Sequence, residues 1–138
     1  MDFVADQMCF ACGRENPIGL RLTFAFDGAE YVTRFTADAR VQGYRGIIHG
    51  GIVATLLDEV MARLVWEQAG PSATARLDIR YRRPAPIGAA IEVRGRITAV
   101  RRAGQLFETA ARATLADGTV LADATGLVMR RHPAEGGA

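Results

Sequence analysis

The chain has 138 residues, of which 49% are hydrophobic and 23% are charged, as in an ordinary globular protein. This length predicts a single domain covering residues 1–138. No apolar run is long enough to cross a membrane, and a net charge of +2 is too small to indicate a nucleic-acid partner. The first residues lack the basic start and long apolar core of a signal peptide, so we expect a cytoplasmic protein with neither a nucleic-acid nor a membrane partner.

Residues 1–19 form a lead-in that contains both cysteines of the chain, Cys9 and Cys12. In a cytosolic protein the Cys-x-x-Cys spacing is compatible with metal or redox chemistry. A structural zinc site needs four ligands, however, and the chain has only this one pair of cysteines. Turn-forming residues follow the pair, which does not favour a thioredoxin-like site. Structural or free thiols are therefore favoured over a metal or redox role, and no metal site is assigned.

Two strands are predicted before the first helix. Residues 20–27 alternate between apolar and polar side chains, which is typical of a half-buried strand. Asp27-Gly28 is a hairpin signal, and residues 30–36 are rich in β-branched and aromatic side chains. Residues 37–49 are predicted to be a loop.

A long helix is predicted over residues 50–68, ending at Gly70-Pro71. It is apolar on more than one side, which indicates burial on more than one side. Four further strands are predicted over 73–83, 89–101, 104–116 and 119–131, and a disordered tail over 132–138. Hairpin-linked strands favour an antiparallel sheet, so we predict an α+β protein in which a curved sheet wraps around one central helix.

The start of the predicted helix is a candidate oxyanion site. Gly50 and Gly51 lie where the first amides of a helix have no partner within it. These N–H groups carry a partial positive charge, and glycine allows a ligand to approach the backbone closely. The alternative is a loop-to-helix junction packed against a strand.

Two adjacent acids lie in the middle of the helix. Arg63 follows Glu59 by four residues, which is the favourable order for an ion pair, so we interpret Glu59 as a structural or surface charge. Asp58 has no cation among its helical neighbours and points away from the main apolar stripe. A partly desolvated carboxylate of this kind is a candidate base or nucleophile, whereas the alternative is an exposed aspartate.

The spacing of these groups predicts a second subunit. Gly50 and Asp58 are eight residues apart, or roughly 12 Å along a helix at 1.5 Å per residue. One helix cannot bring both groups to the same reacting carbonyl. If both act, the site lies across a two-fold axis of a homo-oligomer, either a dimer or a dimer of dimers.

Several of these residues together resemble a known family. His49-Gly50-Gly51, Asp58 nine residues after the histidine, and the strand Thr-Ala-Arg-Leu-Asp-Ile-Arg-Tyr-Arg-Arg-Pro at 74–84 are similar to hotdog-fold acyl-CoA thioesterases of the phenylacetate-pathway (PaaI-like) type. The lead-in at 9–20 resembles a subgroup of them. The resemblance implies a hotdog fold, an acyl-CoA substrate, and no cofactor apart from the coenzyme A of that substrate.

The resemblance also implies roles for individual residues. The Gly50 N–H would polarise the thioester carbonyl, and Asp58 of the other protomer would activate water or attack directly. His49 would shape the start of the helix, and Gly51 would lie beside the substrate. Thr74 would position the water or the acyl group. Regular alternation places Thr74 on the polar side of its strand, although threonine is also common in strands for its β-propensity alone.

One departure from the family affects the substrate contacts. Relatives often have an asparagine six residues before the histidine, where this chain has Gly43, and Gln42 is the candidate substitute. Arginines near the strand ends are candidates for the phosphates of coenzyme A, and among them we assign Arg83. The sequence leaves two other functions open, namely non-catalytic acyl-CoA or lipid binding and a metal-linked or regulatory role of Cys9 and Cys12.

Overall fold

The computed structural model describes residues 2–131. Its strands are β1 (Ala25–Asp27), β2 (Glu30–Thr36), β3 (Ser72–Tyr81), β4 (Ala90–Arg101), β5 (Leu106–Leu115) and β6 (Val120–Arg130). The long helix is α1 (Gly50–Ala69), and a short 3-10 turn, Ala39–Val41, lies in the loop before it. The predicted order of two strands, one helix and four strands is confirmed. The predicted tail at 132–138 lies outside the described residues.

The six strands form one antiparallel sheet in the order β1-β2-β4-β5-β6-β3. Helix α1 packs against five of these strands, β2 to β6, so the sheet curves around it. The predicted hotdog architecture is thereby confirmed. Strand β3 lies at one edge of the sheet, with β6 on one side and no strand of the described chain on the other.

Helix α1 begins and ends where the sequence predicts. His49 is its N-cap, and Gly70 ends it with φ of 84°, a conformation that disfavours residues with a side chain. Its buried side chains are all apolar: Val53, Leu56, Leu57, Val60, Met61, Leu64 and Val65. These side chains occupy a wide stripe, as a helix covered by a curved sheet requires.

The first strand is shorter than predicted. Residues 20–24 are not paired with β2, and β1 has three residues, because the backbone turns at Arg21, whose φ is 53°. The Leu20 and Leu22 N–H groups donate instead to Phe10 O and Ala11 O of the lead-in, at 2.8 and 2.9 Å. The apolar and polar alternation of residues 20–24 still indicates burial, since Leu22 lies in the core. This segment pairs with the lead-in, however, and not with β2.

No helix within residues 2–131 has both the length and the apolar character needed to cross a membrane.

Helix α1 and strand β4 approach each other closely at Gly95. A Cβ at this position would lie 3.1 Å from both the carbonyl oxygen and a methyl group of Val60. The backbone oxygen cannot rotate away as a side chain would. The helix can therefore pack on the sheet at this distance only because residue 95 has no side chain.

We predict that Gly95→Val lowers the free energy of unfolding by about 1–3 kcal/mol, because overpacking displaces the helix. Urea denaturation at a fixed protein concentration measures this change. Arg96→Val is the matched control, since it places the same side chain on the adjacent, exposed position. Equal effects of the two substitutions would contradict the close packing at Gly95.

Candidate active site

The start of α1 is capped by a histidine and presents one free amide. His49 Nδ1 accepts a hydrogen bond from the Gly51 N–H at 2.8 Å. A Cβ on residue 51 would lie 3.1 Å from that nitrogen, so glycine permits the close cap. Within residues 2–131 the Gly50 N–H donates to no acceptor. Of the two glycine amides predicted for this site, the Gly50 amide is therefore the one that can bind a substrate.

Gly50 borders a cavity of about 630 Å³ that Tyr81 and Arg83 also line. The Tyr81 hydroxyl donates to the Gly50 carbonyl oxygen at 2.7 Å, which joins the end of β3 to the first turn of α1. The sequence analysis gave Tyr81 no role, because no local pattern links residues 31 positions apart. Arg83 has no carboxylate within 4.0 Å among residues 2–131, whereas its neighbour Arg82 pairs with Asp123 at 2.8 Å. Arg83 is thus available to an anionic ligand.

Gln42 and Gly50 line different cavities, and His49 borders both. Gln42 lines a second cavity of about 800 Å³ together with His49 and Gly51, and its side-chain oxygen accepts from the Gly46 N–H at 3.3 Å. At Gly43 a Cβ would lie 3.3 Å from the His49 Cα. A side chain at residue 43 would crowd the cap, which gives a steric reason for glycine here.

Asp58 is hydrogen-bonded to Thr74. The Thr74 hydroxyl donates to Asp58 Oδ1 at 2.7 Å, and both residues are half-buried. This contact joins the middle of α1 to the start of β3. The structure thus brings together two of the predicted site residues.

A β-bulge turns Thr74 toward the helix. Thr74 pairs with Val128, but Arg76 pairs with Leu127, so Ala75 is the extra residue on β3. Directly paired residues of antiparallel strands project from the same face, and Val128 is buried beneath the helix. The sequence analysis placed Thr74 on the polar side of a regular strand. That placement is wrong, because the bulge shifts the alternation by one residue.

The predicted ion pair between Glu59 and Arg63 is also wrong. The Arg63 guanidinium donates instead to Glu67 at 3.3 Å and to Cys12 Sγ at 3.0 Å. Glu59 faces the lead-in, where Cys9 Sγ lies 3.9 Å from its carboxylate. Burial raises the pKa of Glu59 above its usual value, and burial likewise raises the pKa of Cys12 to about 12. The lead-in, which sequence periodicity could not place, covers this face of the helix.

The candidate residues form two groups in one chain. Thr74 belongs to the edge strand β3, and Asp58 lies beside it. The second group surrounds the start of α1 and consists of Gln42, His49, Gly50, Gly51 and Arg83. The eight-residue helical separation places the groups roughly 12 Å apart. A single chain therefore does not bring them to one reacting atom.

A sequence profile described as the thioesterase superfamily matches residues 45–122, which is more than half of the chain. The protein therefore belongs to the thioesterase superfamily. The matched segment begins shortly before α1. It contains every candidate residue of the two groups apart from Gln42.

Particular relatives agree with this assignment. Acyl-coenzyme A thioesterase THEM4 of Mus musculus is 26% identical over 102 residues, which cover 74% of this chain and 44% of THEM4. The chain spans about half the length of the curated relatives it matches. A thioesterase superfamily protein of known crystal structure is 27% identical with a TM-score of 0.81, over 89% of this chain and 60% of that one. The PaaI protein of E. coli shares the fold, with a TM-score of 0.73 at 18% identity over 80% and 84% of the two chains. The predicted resemblance to hotdog-fold thioesterases is confirmed, and the likeness to PaaI is a likeness of fold.

We predict that His49→Ala lowers the free energy of unfolding by about 0.5–2 kcal/mol, because the Gly51 N–H loses its cap. His49→Asn should restore most of this stability, since asparagine is a favourable N-cap residue. Chemical denaturation of both variants measures the effect. Equal stability of His49→Ala and the wild type would show that the histidine does not cap the helix.

Proposed function

We propose that this protein is an acyl-CoA thioesterase that hydrolyses an acyl- or aryl-CoA thioester to the free acid and coenzyme A. The observation that carries the proposal is the 2.7 Å hydrogen bond from Thr74 to Asp58. Membership of the thioesterase superfamily supports the reaction class. The name of the related THEM4 proteins supports coenzyme A as the carrier.

The Thr74 hydroxyl occupies one oxygen of Asp58 and leaves the second oxygen for the reaction. As a general base, Asp58 takes a proton from water while the hydroxide forms a bond to the thioester carbon. The C–S bond then breaks, and the departing thiolate of coenzyme A takes up a proton. As a nucleophile, Asp58 forms the bond to carbon itself, and the C–S bond breaks as the thiolate of coenzyme A leaves and takes up a proton. Water then hydrolyses the resulting anhydride, which releases the free acid and restores the Asp58 carboxylate.

The Gly50 N–H is the proposed oxyanion stabiliser. It lies at the positive end of a 20-residue helix and has no acceptor within residues 2–131. Negative charge develops on the carbonyl oxygen as water or Asp58 attacks, and a preorganised N–H at that position lowers the barrier. His49 supports this geometry by capping the helix, and Tyr81 supports it by holding the Gly50 carbonyl.

The two groups of residues would meet across a dimer. The rough 12 Å separation within one chain prevents Asp58 from reaching a carbonyl bound at Gly50 of that chain. Strand β3, which contains Thr74, has an unpaired edge within the described chain. In a two-fold dimer each site would take Gly50 from one protomer and Asp58 from its partner. A dimer of dimers would contain the same pairs.

Other predicted contacts complete the proposed substrate site. Arg83 would bind a phosphate of coenzyme A, and Gln42 and Gly51 would line the path of the substrate beside His49. The proposed reaction needs a base, water and an oxyanion stabiliser, and it uses neither a metal nor a cofactor. A cytoplasmic location stays a prediction from the sequence.

We predict that Asp58→Asn lowers kcat by at least about 100-fold, because the amide can neither take a proton nor attack the thioester. A thiol-release assay over aliphatic and aromatic acyl-CoA substrates measures this change. Glu67→Gln is the matched control, since it makes the same chemical change at an exposed position of the same helix. Equal rates for Asp58→Asn and the wild type would remove Asp58 from the mechanism.

We predict that Gly50→Pro removes most activity without breaking the helix. Proline lacks the N–H but is favoured at the first helical position. His49, with φ of −56° and ψ of 134°, already has the extended conformation that precedes proline. Gly50→Ala is the matched control, because it keeps the N–H and its Cβ would make an ordinary 3.7 Å contact with Tyr81.

Gly50→Pro also tests whether each site is built from residues of two protomers. We expect a heterodimer of Gly50→Pro and Asp58→Asn chains to have one intact and one doubly defective site, and hence about half of the wild-type activity. Co-expression with two different affinity tags and sequential purification isolates this heterodimer. If each site lay within one chain, the purified heterodimer would be as inactive as the two homodimers.

Non-catalytic binding of an acyl-CoA or lipid is the alternative function. Gly43 favours it, because this position lacks the side-chain amide that relatives often use to contact the carbonyl. Acyl-CoA binding and thioester turnover, measured on the same protein, distinguish the two functions. Tight acyl-CoA binding by calorimetry, together with no turnover of any thioester in the panel, would support the binding function and contradict the proposed hydrolysis.

A further inference from the structure

Three potential metal ligands converge where the lead-in contacts helix α1. The sulfurs of Cys9 and Cys12 and a carboxylate oxygen of Glu59 lie within 4.8 Å of one another. The separation between Cys9 Sγ and Glu59 Oε1 is 3.9 Å. None of the three residues takes part in the proposed thioesterase reaction.

The backbone between the two cysteines is folded into a tight turn that holds their sulfurs on one side. The Cys12 N–H points at Cys9 Sγ at 3.5 Å, and the Gly13 N–H donates to the Cys9 carbonyl oxygen at 2.9 Å. A Cβ at Gly13 would overlap the Gln7 carbonyl oxygen, so the turn requires glycine. An N–H directed at a sulfur fixes the position of that sulfur, as outer-shell contacts do for the ligands of metal sites.

We propose that Cys9, Cys12 and Glu59 bind a zinc ion that fastens the lead-in to helix α1. Zinc accepts thiolate and carboxylate ligands in tetrahedral geometry, at about 2.3 Å to sulfur and about 2.1 Å to oxygen. These bond lengths place neighbouring ligand atoms about 3.6–3.8 Å apart. The observed separations need to close by about 1 Å at most, which rotation of three side chains can supply.

The surroundings balance the charge of such a site. The Arg63 guanidinium lies 3.0 Å from Cys12 Sγ and is held in place by Glu67 and by the face of Phe24. Two thiolates and one carboxylate around a divalent ion leave one negative charge, which the Arg63 cation offsets, and Glu67 carries a further negative charge at the exposed end of this contact. A bond from Arg63 to a ligand sulfur is an outer-shell contact of the kind that tunes metal sites.

Water supplies the fourth ligand in this proposal. Cys9, Cys12 and Glu59 line a cavity of about 860 Å³, which gives solvent access to the site. The mixed thiolate and carboxylate ligands favour zinc over copper(I), which prefers soft ligands alone. Binding transfers two thiol protons to solvent and needs no oxidant or reductant. The sequence analysis preferred free thiols because it counted only the cysteines, and folding adds Glu59 as a third ligand.

Metal analysis of the full chain, reduced and reconstituted with zinc, tests the proposal. We expect about one zinc ion per chain after removal of free metal. Cobalt(II) should give a sulfur-to-cobalt charge-transfer band, which is lost in a Cys9→Ser, Cys12→Ser double variant. Chelator competition should show at least about 10-fold weaker zinc binding by Glu59→Gln. Glu67→Gln, the control, removes a carboxylate that contacts Arg63 but is not a ligand, so it should weaken zinc binding much less than Glu59→Gln does.

Two results would overturn the proposal. One is zinc well below one ion per chain with no charge-transfer band in the reduced wild type. The other is equal zinc affinity of Glu59→Gln and the wild type, which would remove the carboxylate from the site. The second result is informative even if the double cysteine variant fails to fold. Glu59→Gln replaces only one carboxylate oxygen by an amide nitrogen and leaves the lead-in turn intact.

Discussion

Burial of helix α1 against the curved sheet is the constraint on which the rest of the structure depends. Seven apolar side chains of the helix are buried, and no strand could close around a helix with a charged inner face. Polar groups are therefore confined to the start of the helix and to its flanks. The Gly50 amide lies at the start, Asp58 lies beside the edge strand, and Glu59 lies beneath the lead-in. The packing of the core thus decides where reactive groups can be placed.

The adjacent acids Asp58 and Glu59 lie in different environments, because they lie on different flanks of the buried helix. Successive residues of a helix point about 100° apart, so Asp58 and Glu59 face different elements. Asp58 accepts from Thr74 of β3, whereas Glu59 faces the cysteines of the lead-in. Different environments for the two acids were predicted and are present, but the predicted pairing of Glu59 with Arg63 is wrong. Side chains from outside the helix decide both environments.

The elements with strong periodicity were predictable from the sequence. The helix and strands β2 to β6 lie where their apolar patterns and turn residues place them, and the hotdog architecture follows from their order. Three features were not predictable. The bulge at Ala75 depends on pairing with β6, the short β1 depends on the lead-in, and the contact of Tyr81 with Gly50 joins distant parts of the chain. Each depends on a tertiary partner that local patterns do not contain.

The central claim is that Gly50 of one protomer and Asp58 of its partner act on the same carbonyl. A crystal structure with a ketone analogue of acyl-CoA, in which a methylene group replaces the thioester sulfur, tests it most directly. We expect the carbonyl oxygen to lie about 3 Å from the Gly50 N of one protomer. We expect the carboxylate of the partner's Asp58 to lie within hydrogen-bonding reach of the carbonyl carbon, directly or through one water. An analogue bound at Gly50 with no Asp58 from a second chain beside it would contradict the account.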